Sequence, residues 1–213
     1  SSDLAEVSVE EKIRCATGWK EDFEAREDEC SIQRVQRYSF QRPMIEAYRM
    51  KPGYDEYRIK ADAAFEAQPQ ALQPGGKTIE REAPYPEYEV MTAQPIFSGT
   101  VEPDAIVDGI HRDRSYYADE KLLGYTPEER EFSVTDETQR MLFKLDPSAG
   151  AEGEIKRNGY RMYELERIAS GMMAMEVQAE RDVELYCIFD EVLRDGDILL
   201  TRSGCANTIK FCL

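Results

Sequence analysis

The chain's one pointed chemical possibility lies in its five cysteines, Cys15, Cys30, Cys187, Cys205 and Cys212. An odd number at irregular spacing argues against a dense disulfide framework, so at least one thiol should be free or modified. Cys187-Ile188-Phe189-Asp190 sets a thiol and a carboxylate three residues apart, which on a helix puts both on one face. A group attached to the Cys187 sulfur would then meet Asp190, with Arg181 and Arg194 within two turns to pair with its acidic substituents. A buried structural cysteine is the commoner use of such a residue. Cys15, preceded by Arg14, and Cys205, in a Ser-Gly-Cys loop, are the next candidates, ahead of Cys30 and Cys212.

Other reactive constellations are missing. His111 is the only histidine and Cys-x-x-Cys is absent, so zinc and haem sites of the usual kind lack ligands and no metal is expected. His111-Arg112-Asp113-Arg114 looks like a kinase catalytic loop but lacks the Gly-rich loop and Asp-Phe-Gly that would accompany it. No Gly-x-Ser-x-Gly elbow surrounds a serine. Glu10-Glu11 and Glu128-Glu129 stand where negative charge favours a helix start, and Asp195-x-Asp197 lacks the further oxygens of a calcium loop. No catalytic residue is assigned, and the chain reads as a non-enzyme. Met172, Met173 and Met175 read as core filling, whereas twelve tyrosines suit a wet protein interface.

Charge narrows the partners. Against 27 Lys and Arg stand 43 Asp and Glu, a formal charge of -16 that repels phosphate backbones and anionic lipid. The longest mainly apolar stretch, Ile168 to Val177, is far short of the roughly 20 residues a membrane helix needs. The start at Ser1-Ser2-Asp3 reads as a processed or edited terminus from which any targeting segment has gone.

The elements that must position these residues read as mainly α: extended helical segments joined by a Pro-rich irregular arm, ending in a long amphipathic helix and a short strand or tail. A capping box at Ser8 to Glu11 predicts a helix from Val9. Further helical stretches are predicted at Met44 to Met50 and Glu56 to Gln68, separated by a Pro52-Gly53 turn. Six prolines between Pro69 and Pro103 predict a linker or wrapping arm. Thr126-Pro127-Glu128-Glu129 predicts a short helix from Pro127. Glu154 to Leu193 is predicted as a long helix, with Gly159 and Gly171 as the places where it could be interrupted, from a near-3.5 spacing of Met162, Leu165, Ala169, Met172, Met175, Val183 and Tyr186, closed by Asp195-Gly196. The organisation expected is an N-terminal helical region at 1–68, the arm at 69–105 and a C-terminal helical region at 106–213.

Leu193-Arg194-Asp195-Gly196-Asp197-Ile198-Leu199-Leu200 resembles the Cys-Leu-Arg-Asp-Gly stretch of phycobiliproteins and the Leu-Arg-Asn-Gly-x-Ile turn of phycobilisome rod linkers. Val192 stands where the bilin-carrying cysteine of a phycobiliprotein would be. The chain as a whole is more similar to the linker-like gamma subunit of red-algal phycoerythrin, an extended chain with scattered cysteines inside an antenna ring. That resemblance implies covalently attached bilin on some cysteines (Cys187 with Asp190 first, then Cys15 and Cys205), contacts with phycobiliprotein hexamers, and a plastid location on the stromal side of the thylakoid. The acidic balance departs from rod linkers, which are basic where they meet an acidic ring. The expected function is a non-catalytic linker-like antenna subunit, the alternative an acidic scaffold or assembly subunit of another complex without pigment.

Overall fold

The computed structural model of the chain describes residues 5–6, 14–15, 28–37, 44–60, 82–84, 87–105, 125–138, 140–146, 150, 152–194, 197–198, 201–202 and 205–213. The chain divides into two units, one from 1–29 and 52–88, the other from 30–51 and 89–213. In the first, β1 (Ala5–Glu6) pairs antiparallel with β2 (Arg14–Cys15), Ala5 opposite Cys15. The Pro52-Gly53 turn is present, with Gly53 at φ 75°, a left-handed value that favours glycine. It leads into a single 3₁₀ turn at Glu56–Arg58.

The second unit carries two three-stranded sheets. In one, β4 (Gln94–Glu102) lies between β5 (Leu142–Leu145) and β6 (Gly159–Glu164), all antiparallel. Pro95 lacks a ladder donor, and the register shifts between Pro95 and Phe97, so a bulge absorbs the proline. Tyr160 packs edge-on against Phe97 and Phe143, at centroid separations of 6.4 and 5.3 Å, and its ring covers Gly99.

In the other sheet, β12 (Thr208–Cys212) runs between β3 (Glu46–Arg49), parallel, and β7 (Glu184–Ile188), antiparallel. The outer edge of β3 is occupied: Ile32 N donates to Ala47 O, Arg49 N to Cys30 O and Ile45 N to Gln36 O. A one-turn helix, α1 (Val134–Thr138), supplies Val134 to a core of Ile32, Val35, Ile45 and Ala47, flanked by Met44, Phe132 and Tyr186. Each fully buried aliphatic side chain there contributes about 1.5–3 kcal/mol. Two short ladders follow β7: β8 (Leu193–Arg194) with β9 (Asp197–Ile198), and β10 (Thr201–Arg202) with β11 (Cys205–Ala206).

The mainly α expectation is overturned. Among the described residues the helical pieces are single turns, and the regular structure is β. The helix predicted at Met44 to Met50 is β3 and its approach, where buried Ile45 and Ala47 alternate with exposed Glu46, a period of two. The long helix predicted over Glu154 to Leu193 is β6, an irregular arm at 165–182, β7 and the start of β8. Its Gly-Tyr-Arg-Met-Tyr and Glu-Leu-Tyr-Cys-Ile runs find ladder partners at Gln94–Glu102 and Thr208–Cys212, far away in sequence, and that pairing overrides the local 3.5 spacing. The irregular region predicted across Pro69 to Pro103 ends in β4. Leu193-Arg194 is a strand paired across to Asp197-Ile198, not a helix end. The turn at Pro127 forms as a 3₁₀ turn, Pro127–Glu129, with Thr126 N donating to Glu129 Oε2 at 2.9 Å. The helix expected from Val9 and most of that expected after Glu56 lie outside the described residues. No described helix is long and apolar enough to cross a membrane.

Candidate functional site

Strand alternation gives β12 two unlike faces. Thr208 and Lys210 are buried on one, while Ile209 and Phe211 lie half-buried on the other. Lys210, only 2 % exposed, stands opposite Tyr186 of β7 and Ala47 of β3, and α1 brings Glu137 to it. Its Nζ donates to Glu137 Oε2 at 2.8 Å and Glu184 Oε1 at 2.9 Å, over the Phe132 ring at 4.2 Å. The Tyr186 hydroxyl donates to Glu137 Oε2 at 2.7 Å, with Glu184 Oε2 at 3.1 Å. Arg49 pairs with Glu131 at 2.6 Å beside the same Phe132 ring.

Burial alone would lower the Lys210 pKa, but the hydrogen bonds and charges of Glu137 and Glu184 together outweigh it and raise the value above the usual 10.5. Burial, reinforced by Glu137 and Glu184, pushes the Tyr186 phenol upward. A lysine held protonated between two carboxylates is neither base nor nucleophile, so the cluster acts as an ionic lock between α1 and the sheet.

The opposite face carries Cys187. It lies across from Ile209, beside a stacked Tyr48–Phe211 pair with centroids 5.3 Å apart. Burial raises the Cys187 thiol from 9.0 to about 11, and burial likewise leads the upward shift at Cys212. These groups share one sign: at high pH the folded chain keeps protons that the unfolded chain has lost. The stability they contribute is complete below their unfolded values and is lost as pH rises through the folded ones. Urea midpoints should therefore fall steadily between about pH 9 and 11, and Lys210→Met should flatten the part of that slope above 10.5.

The helical face that joined Cys187 to Asp190 disappears with the helix. Asp190 instead caps the turn after β7: Oδ1 accepts from the Glu191 and Val192 amides at 2.7 and 3.3 Å, and Oδ2 from Asn207 Nδ2 at 3.4 Å. Cys15 lies in β2 and Cys205 in β11. Cys187 and Cys212 carry free thiols, and Cys30 is buried. His111, Asp195 and Gly196 lie outside the described residues. Lys210, Glu137 and Glu184 were not among the sequence candidates, since a lone lysine in Thr-Ile-Lys-Phe-Cys gives no local sign of two carboxylates brought from elsewhere.

The arm at 165–182 has neither helix nor strand, and every one of its side chains is exposed. Ile168 is 76 % and Met172 87 % exposed, with Leu165, Met173, Met175 and Val177 also out of the core, which corrects the expectation that these methionines fill it. At its start an Arg167–Glu89 ion pair crosses an open cleft lined by Val90, Met91 and Gln94. No metal-holding group of three or more His, Cys, Asp or Glu occurs among the described residues. Comparisons with family models, curated proteins and solved structures find no match to this chain.

Proposed function

We propose that the chain is a non-catalytic subunit of a larger protein assembly that docks through the 165–182 arm. The observation that carries this reading is the row of apolar side chains on that arm, Leu165, Ile168, Met172, Met173, Met175 and Val177, all exposed and unsupported by secondary structure. Fully burying one such side chain is worth about 1.5–3 kcal/mol, so a partner that covers them gains affinity the isolated chain leaves unused. Glu166, Glu176, Glu180 and Asp182 outnumber Arg167 and Arg181 along the same stretch. A surface that complements the arm is an apolar groove with a local rim of Lys and Arg, which on an otherwise acidic ring would have to be a basic patch. Methionine side chains suit such a groove because they repack to fit it.

The Leu193 to Leu200 resemblance makes phycobiliprotein hexamers the first partner to offer, with bilin on a cysteine as the accompanying modification and the plastid as location. Sedimentation of purified chain with purified hexamers should give a co-migrating species that is lost in Ile168→Ser/Met172→Ser/Val177→Ser. The absorption spectrum and intact mass of the native chain report bilin separately. Co-migration that survives the triple substitution would overturn docking through the arm. Absence of co-migration with a colourless chain at its sequence mass would remove the antenna assignment and leave the pigment-free acidic scaffold.

A further inference from the structure

We propose that the outer edge of β7 is a docking site for an extended partner segment, apolar in its middle and carrying Lys or Arg at both ends, which joins the sheet as a further strand. The sheet order β3-β12-β7 leaves β7 outermost, paired with β12 on one side only. Val183 and Leu213 exchange both backbone hydrogen bonds, at 3.2 and 3.0 Å, and Phe189 N donates to Asn207 O at 3.1 Å. Antiparallel alternation then turns the backbone groups of Leu185 and Cys187 toward β12, and the N–H and C=O groups of Glu184, Tyr186 and Ile188 outward. Those outward groups have no hydrogen-bond partner among the described residues. The arm at 165–182 meets β7 through side chains, with Cys187 Sγ 3.8 Å from Met175 Sδ, and makes no backbone hydrogen bond to it.

The strand and its flanks fix the kind of partner. Proteins commonly blunt a free edge with an internal charge, as Lys144 does in β5 and Arg161 in β6, whereas β7 carries its one charge at its first residue, followed by Leu-Tyr-Cys-Ile. An added strand sets alternate side chains beside half-buried Leu185 and Cys187, on the face of the stacked Tyr48–Phe211 pair, so its middle is apolar. Both ends of β7 are acidic, with Glu180, Asp182 and Glu184 leading in, Asp190 and Glu191 leading out, and Arg181 the one cation among them. A second copy of the chain fits badly. Antiparallel self-pairing about Tyr186 sets Asp182 opposite Asp190, and each copy carries a formal charge of -16. The edge needs no contact with the arm, so it stands or falls apart from docking through 165–182.

The test is fluorescence anisotropy of the full chain with the labelled peptide Lys-Thr-Ile-Tyr-Val-Thr-Lys. Beside it run an acid-ended version, with Glu for both Lys, and a version N-methylated at every internal amide. The expected result is saturable binding of the basic peptide that weakens as salt rises, with the other two bound at least about ten-fold less tightly, as losing one or two backbone hydrogen bonds or a charge pair produces. Ile188→Pro removes an outward donor at an edge position that tolerates proline, and should weaken binding by a similar factor while the circular dichroism spectrum stays native. Asp182→Lys/Glu191→Lys keeps the edge and should shift the preference toward the acid-ended peptide. Ile168→Ser/Met172→Ser/Val177→Ser should leave peptide binding unchanged. No binding of the basic peptide, or equal binding after N-methylation or in Ile188→Pro, would overturn strand addition, and equal binding of the acid-ended peptide would overturn the basic partner.

Discussion

Replacing Glu137 and Glu184 together by glutamine should destabilise the unit formed by 30–51 and 89–213 by about 3–5 kcal/mol, because it leaves a buried ammonium without counter-charge. Lys210 is 2 % exposed, and its Nζ has both carboxylates within 2.9 Å. Glutamine keeps shape and one acceptor oxygen, so the loss isolates charge. The Glu137 and Glu184 side chains are 32 % and 55 % exposed, which lets water share their solvation and puts the expected value at the lower end of that range. Adding Lys210→Met removes the stranded charge and keeps the volume, so the triple variant should recover most of the loss. Urea unfolding followed by circular dichroism measures both steps. A double variant within about 1 kcal/mol of the parent, or a triple variant no better than the double, would show that the cluster is not an ionic lock.

The second large effect is expected at Gly99. A Cβ there would collide with the Lys144 carbonyl oxygen and with the Tyr160 ring. The ring can move, but the carbonyl belongs to β5 beside the Gly99–Leu145 register pair, so relief requires opening the ladder. Gly99→Ala should cost about 3 kcal/mol, the upper end of ordinary overpacking, and Gly99→Val more. Truncating the ring as well, in Gly99→Ala/Tyr160→Ala, removes only one of the two obstacles and should not restore the parent midpoint. Full rescue by that second change would locate the conflict in the side chain rather than the strand backbone.

What the sequence showed about these sites was local. The Pro52-Gly53 turn and the Thr126 to Glu129 cap were legible because their partners lie within a few residues. Strand pairing was not, because β6 and β7 acquire their identity from β4 and β12, and a spacing near 3.5 over Met162 to Tyr186 is satisfied in part by two strands and an irregular arm. Two signals were present but misread. Ile45-Glu46-Ala47 alternates with period two, and Asp195-Gly196 between Leu193-Arg194 and Asp197-Ile198 is the dipeptide expected between hairpin strands, which is how its flanks pair. Cys187 was legible as a thiol of interest, but its neighbour is Met175 rather than Asp190, because a strand and a returning arm, not a helix, set its surroundings. The Lys210 lock left no local trace, since Glu137 and Glu184 come from separate elements.

The proposed docking through the 165–182 arm is tested most directly by hydrogen–deuterium exchange of the isolated chain and of the chain mixed with purified phycobiliprotein hexamers. Amides at 165–182 should exchange early in the isolated chain while those of β4 and β12 exchange late, and the arm alone should gain protection on assembly. Slow exchange along the arm in the isolated chain, or an arm that stays unprotected in the complex, would contradict docking through it.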